Sequence, residues 1–108
     1  MIVHEDERRI IYDWANGSFK SAKAAIIKTK LAVGDHYHNN KDEEFLLLDG
    51  EFLELWLNKE VFYNIKAPYK VSVPRGTYHK FICSPGSILL GTATELFDPL
   101  DEIKKTNI

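Results

Sequence analysis

Two short segments hold the residues best suited to do chemistry. The first runs Gly34-Asp35-His36-Tyr37-His38-Asn39-Asn40-Lys41-Asp42-Glu43 and places two histidines at i and i+2, with a carboxylate five residues after the second. The second, Pro74-Arg75-Gly76-Thr77-Tyr78-His79, delivers a third histidine just after a Pro-x-Gly turn. Side chains alternate faces along a strand, so His36 and His38 point the same way. Three imidazoles and one carboxylate converging on a point make a site for a divalent transition metal. A lone histidine is more often a satisfied core or surface residue. Three of the chain's four histidines standing at this spacing, with Glu43 in register, argue for a shared site. His4 lies outside the pattern, in a charged N-terminal stretch, and reads as exposed.

This pattern resembles the cupin family. The first cupin motif reads roughly Gly, five residues, His-x-His, three or four residues, Glu, six residues, Gly; His36, His38, Glu43 and Gly50 fall on that spacing. The second contains Pro-x-Gly, two residues and His, matched by Pro74, Gly76 and His79. Lys30 and Pro68 stand where the motifs have their leading glycines, and Cys83 where the second has its final asparagine. None of these departures removes a metal ligand. The resemblance implies an all-β fold, the cupin double-stranded β-helix or jelly-roll barrel of the RmlC-like type. It also implies one divalent metal (Fe, Mn, Ni, Co or Zn) on His36, His38, Glu43 and His79.

Four protein ligands on an octahedral ion leave two positions for water, substrate oxygens or dioxygen. Phe45 and Leu47 share the face of Glu43, and Phe81 that of His79, so all three are expected to line a pocket beside the metal as well as pack the core. Cys83 lies on the same strand face. Its ordinary reading is a small buried hydrophobe; a fifth metal contact or a reactive thiol are the alternatives. Arg75 leads the charged residues expected within reach of the barrel mouth, ahead of Lys23, Lys28, Lys30 and Glu95, though each also reads as solvated surface. Tyr37, Tyr78 and Lys80 are expected to point away from the metal.

The elements that position these groups read as short strands divided by turn residues, as in a β-barrel or sandwich. A first strand falls within 9–14 and ends at Asn16-Gly17, a hairpin signal. Residues 19–33 form one long strand or two. Strands follow near 36–38, 43–48, 51–57 and 61–65, with Asp49-Gly50 read as a hairpin turn and another turn at Asn58-Lys59-Glu60. In 51–57, Leu53, Leu55 and Leu57 alternate against Phe52, Glu54 and Trp56. Val71 and Val73, then 79–83 and 87–96, complete the set. Asp98 as N-cap, Pro99 at the first helical position, Asp101 and Glu102 in the first turn and Lys104 and Lys105 at the end predict a short surface helix over 99–105.

With 108 residues, the chain suits a single domain spanning 1–108. Its net charge of −2, from 14 basic and 16 acidic residues well mixed, speaks against nucleic acid as a partner. Its apolar runs of about four residues fall far short of the roughly 20 a membrane span needs. The N-terminus lacks the pattern of a signal peptide, and one cysteine permits no internal disulfide, both consistent with a cytoplasmic protein. The expected partner is a small-molecule ligand, carbohydrate first. A homodimer is also expected, through the apolar edge Arg9-Ile10-Ile11-Tyr12 and the residues Trp14 and Trp56.

The leading functional reading is a metal-dependent isomerase or epimerase of a sugar, sugar phosphate or nucleotide sugar. The alternatives are an Fe(II)-type dioxygenase acting on a small chelating substrate, and a non-catalytic binding module. Fold alone does not choose among them.

Overall fold

The computed structural model describes residues 1–104. Strands β1 (Ile2–Glu5) and β2 (Ile10–Asp13) pair only with each other as a two-stranded sheet. A four-stranded sheet has the order β3 (Ser21–Ile26), β10 (Ile88–Ala93), β5 (Glu43–Asp49), β8 (Tyr69–Val73). A five-stranded sheet has the order β11 (Ile103–Lys104), β4 (Val33–Tyr37), β9 (His79–Cys83), β6 (Glu51–Leu57), β7 (Glu60–Lys66). All pairings are antiparallel.

From β3 onward every connection crosses from one large sheet to the other except β6 to β7. This is the double-sheet jelly roll implied by the cupin resemblance. Its consequence for chemistry is direct: residues close in sequence, such as His38 and Glu43, end on opposite walls of one interior. That interior is filled by Ile27, Leu47, Phe52, Leu55, Val71, Val73, Phe81, Cys83 and Leu89.

Several local expectations are revised. Asn58-Lys59 is a two-residue hairpin loop, with Leu57 opposite Glu60 and Asn58 at φ 55°, as hairpin twist favours. Asp49-Gly50 is not a hairpin, because β5 and β6 lie in different sheets. The chain crosses there with Gly50 at φ 94° and the Gly50 N–H held by the Asp49 side chain. Asn16-Gly17 likewise joins no pair, since β2 and β3 are in separate sheets. In β6 the predicted alternation fails at Leu53. The register shifts between Phe52 and Glu54 against β9, so Phe52 and Leu55 are both buried although they stand three positions apart, which in a regular strand means opposite faces. A bulge takes up one residue and thereby switches the face.

The predicted helix over 99–105 is one 3-10 turn, Pro99–Asp101, followed by β11 within the described residues. Asp98 caps it as expected, accepting from the Leu100 N–H. The turn ends because Ile103 and Lys104 pair with Tyr37 and His36 on the edge of β4. That edge offers ladder hydrogen bonds and covers a strand that would otherwise lie open. No helix among the described residues is long and apolar enough to cross a membrane.

The crossing at Gly50 is the tightest point. A Cβ there would overlap the side chain and Cα of Ser87, which is fully buried and whose hydroxyl accepts from the Glu51 N–H. Gly76, also at positive φ, faces open space. Gly76→Ala is therefore expected to cost about 1–2 kcal/mol from the backbone alone. Gly50→Ala should cost that plus roughly 1–3 kcal/mol of overpacking, both read from urea unfolding.

Candidate functional site

The three histidines come from the five-stranded sheet and the carboxylate from the other. Strand β4 carries an extra residue at Asp35: Gly34 faces Lys80 and His36 faces His79, with Gly34 and Asp35 both at positive φ. The bulge precedes His36, so His36 and His38 retain their common direction. Its geometry is braced by the Tyr78 hydroxyl donating to the Asp35 carboxylate. Tyr78 is itself buried, though outside the interior core cluster, and burial, followed by Asp35, raises its pKa. At Gly34 a Cβ would press within 3.0 Å of both the His79 ring and the His79 carbonyl. The absent side chain is what lets the ring in.

Glu43 opens β5 between Val73 of β8 and Ala93 of β10. The ligand-capable nitrogens of His36, His38 and His79 lie within 4.8 Å of one another. The ring of His36 stands 4.5 Å from that of His38 and 4.7 Å from that of His79, centroid to centroid. From the opposite wall, Glu43 Oε1 approaches His38 Nε2 to 3.0 Å and His79 Nε2 to 3.7 Å.

Protonation is set by what lies behind the rings. His38 Nδ1 is 2.7 Å from the Asp101 carbonyl oxygen. A carbonyl only accepts, so Nδ1 carries the hydrogen, and in a neutral ring Nε2 is a bare lone pair aimed inward. Glu43 Oε1 is buried and has no aligned hydrogen-bond donor. Its 3.0 Å contact with His38 Nε2 is an ion pair only when that ring is protonated. A buried carboxylate oxygen facing imidazole lone pairs calls for positive charge between them, either a proton on His38 or a cation.

The protein's own groups supply part of the answer. Burial opposes charge on His38, but the Glu43 carboxylate and the Asp101 carbonyl outweigh it and raise its pKa. Burial would raise Glu43, yet His38 and His79 hold it below its ordinary value. For His79 burial dominates and pushes the pKa down to about 4, partly offset by Glu43. His36 is lowered too, by burial and then by His38. At neutral pH His36 and His79 therefore present neutral imidazoles, the form that binds metal.

The cluster opens on a cavity of about 270 Å³. Phe45 and Phe81 line it, with their rings 5.0 Å apart, alongside Ile27, Val33 and Leu89. Leu47 and Cys83 do not line it. Both sit deeper in the core, Cys83 only 1% exposed, where burial pushes its thiol up to about 11 and fits the inert reading. Arg75 is not at the cavity either: it is exposed and bonded to Asp42 through its backbone N–H and its guanidinium. Of the charged residues expected at the mouth, Lys23 lines the wall.

Three cavity or supporting residues went unread in the sequence. Lys41 lies in the 39–42 loop, is 5% exposed and lines the cavity. Glu102 also lines it. Asp101 is buried, and its carboxylate accepts the Asn39 and Asn40 N–H groups at 2.8 and 3.1 Å while its carbonyl holds His38. The only available signal was an acidic pair after Pro99, which a helix explains equally well.

No protein-family model matches the chain, and no curated protein matches it. Solved structures do. A 3,4-ketoisomerase from Helicobacter canadensis superposes with a TM-score of 0.80 at 17% identity, covering 98% of this chain and 87% of that one. The TDP-quinovose 3,4-ketoisomerase from Campylobacter jejuni gives 0.82 at 17% identity over 98% and 89%. A 3′-monoepimerase from Streptomyces bikiniensis, in complex with dTDP-quinovose, gives 0.80 at 14% identity over 94% and 64%. The fold is that of the RmlC-like cupins.

Two outcomes follow. The unfolded chain protonates His79 near pH 6.5 and the folded protein near 4, so the metal-free protein should lose stability as pH falls through that window, by about 3 kcal/mol from this group. His38 acts oppositely: with its folded pKa raised, it contributes stability below 6.5 that is lost as pH rises through the raised value. Urea unfolding at several pH values should show a shallower loss on acidification for His79→Gln than for the wild type. Asp101→Ala should destabilise by about 1–3 kcal/mol, since two loop N–H groups lose their acceptor.

Proposed function

We propose that the chain is a metal-dependent isomerase or epimerase acting on a sugar, with a nucleotide-linked ketosugar as the leading substrate class. The observation that carries the metal is Glu43 Oε1, buried without a donor and facing the Nε2 atoms of His38 and His79. Three neutral-capable imidazoles and a carboxylate fit Fe, Mn, Ni, Co or Zn, and the absence of cysteine from the set separates it from structural zinc sites. The carbohydrate reading is supported by the structural neighbours, whose names describe 3,4-ketoisomerases, one of them of TDP-quinovose, and a 3′-monoepimerase in complex with dTDP-quinovose.

His36, His38, His79 and Glu43 would hold the ion, with Asp101 fixing the tautomer of His38. When bound, a divalent ion supplies Lewis-acid polarisation of a carbonyl and its neighbouring hydroxyl. The apolar wall of Phe45, Phe81, Val33 and Leu89 excludes water from the reacting carbons. Isomerisation removes a proton from the carbinol carbon and returns one to the former carbonyl carbon. Glu102 is the carboxylate on the cavity wall outside the cluster, and we assign it that transfer. The cavity is small by the standard of ligand pockets, roughly 300–1,000 Å³. It suits a sugar ring, with the nucleoside outside.

The β1–β2 hairpin, separate from both large sheets and bearing exposed Ile2, Val3, Ile10 and Ile11, is assigned to a homodimer contact. Light scattering at micromolar concentration should give a dimer; a monomer contradicts it.

Elemental analysis of purified protein should find about one equivalent of a transition metal, absent from a His36→Ala/His79→Ala variant. A TDP-linked ketosugar incubated in D2O should then gain ring-carbon deuterium with the loaded wild type and not with Glu102→Gln. No metal uptake from any of the five ions would overturn the metal mechanism. Iron with ligand-dependent dioxygen consumption would favour the dioxygenase instead.

A further inference from the structure

Lys41 is a charged residue in an unusual place. Lysine is almost never fully buried unless it is paired, yet Lys41 is 5% exposed. Among the described residues its side chain has neither an ion pair nor a hydrogen bond. The nearby carboxylates make no contact with it, although its charge acts on Glu43 through space. Glu43 directs Oε1 at the histidines, and Asp101 accepts from the Asn39 and Asn40 N–H groups. Glu102, on the same wall, forms no ion pair with it.

The position is not slack in a loose loop. On one side, Asn39 and Asn40 are held by Asp101. On the other, the Asp42 N–H donates to Thr94 Oγ1, the Asp42 carbonyl accepts the Thr94 N–H, and the Asp42 carboxylate is held by Arg75. The residues flanking Lys41 are thus fixed on both sides, and Lys41 lines two adjoining parts of one groove, which share Lys23, Glu43 and Phe45. The side chain is buried but its ammonium has no direct ion-pair contact among the described residues, so a negative group entering from the cavity it lines would give that charge a contact partner.

We propose that Lys41 is an anion contact of this cavity, taking a phosphate or carboxylate oxygen of the ligand beside the histidine–Glu43 cluster. This rests on the cavity being the ligand site, as proposed above. It restricts the ligand to one with an oxyanion close to the reacting carbons: the pyrophosphate of a nucleotide sugar or the carboxylate of an acidic sugar.

The test is calorimetric titration of metal-free protein with inorganic phosphate and with glycolate, and of zinc-loaded protein with glycolate, using ethylene glycol as the neutral counterpart. The wild type should bind at least one anion. Lys41→Met should weaken that binding about tenfold or more, Lys41→Arg should retain most of it, and Lys28→Met on the exposed surface should change nothing. Ethylene glycol should not distinguish wild type from Lys41→Met. A phosphate preference would indicate the nucleotide-linked source, and a glycolate preference the acidic sugar. Lys41→Gln answers the same question should Lys41→Met fail to fold. Undiminished anion binding by a folded Lys41 variant, or no binding of either anion by the wild type, would overturn the proposal. Zinc uptake, measured separately, reports on the metal reading: without it that reading falls, while the metal-free titrations still decide the role of Lys41.

Discussion

The rest of the site depends on one electrostatic constraint, a carboxylate oxygen of Glu43 buried against two imidazole nitrogens with no donor to satisfy it. Such an arrangement is unfavourable in a dry interior unless positive charge sits between the groups. The jelly roll creates it by topology. Crossing between sheets at each connection puts β4 and β9 on one wall and β5 on the other, so four ligand-type side chains meet across the interior from strand ends. No single sheet could surround a point in this way, because its side chains leave in parallel.

The supporting residues hold this arrangement from behind. Gly34 admits the His79 ring, the bulge at Asp35 turns β4 toward it, and Tyr78 holds the bulge. The segment after Asp98 matters as much. It looks peripheral, yet Asp101 reaches His38 and the 39–42 loop, Glu102 reaches the cavity, and β11 closes the edge of the strand that carries His36. Preorganisation of this kind leaves less ordering to be done when a ligand arrives.

The convergence of the histidines was legible because strand periodicity converts spacing into direction. His36 and His38 at i and i+2 need only a strand locally, and the bulge happens to fall before them. The same reasoning placed Phe45 correctly at the wall. It set Leu47, two residues further along, in the pocket, because periodicity gives a face but not a depth. Phe52 defeated it outright, since a bulge at Leu53 changes the face and leaves no mark in composition. Lys41 was illegible for a different reason: a loop has no period, and its inward turn is set by Asp101 and Thr94, which lie more than fifty residues away. The 99–105 helix was misjudged likewise. Its cap and proline describe how a helix starts, whereas the open edge of β4 decided where it stopped.

The most direct test of the account is anomalous diffraction from crystals of the protein loaded with zinc or cobalt. A single strong peak bonded to nitrogens of His36, His38 and His79 and to an oxygen of Glu43, at roughly 2.0–2.2 Å as for zinc, is the predicted result. An ion bound elsewhere with these four side chains uncoordinated, or no peak and a proton shared between His38 and Glu43, would contradict it.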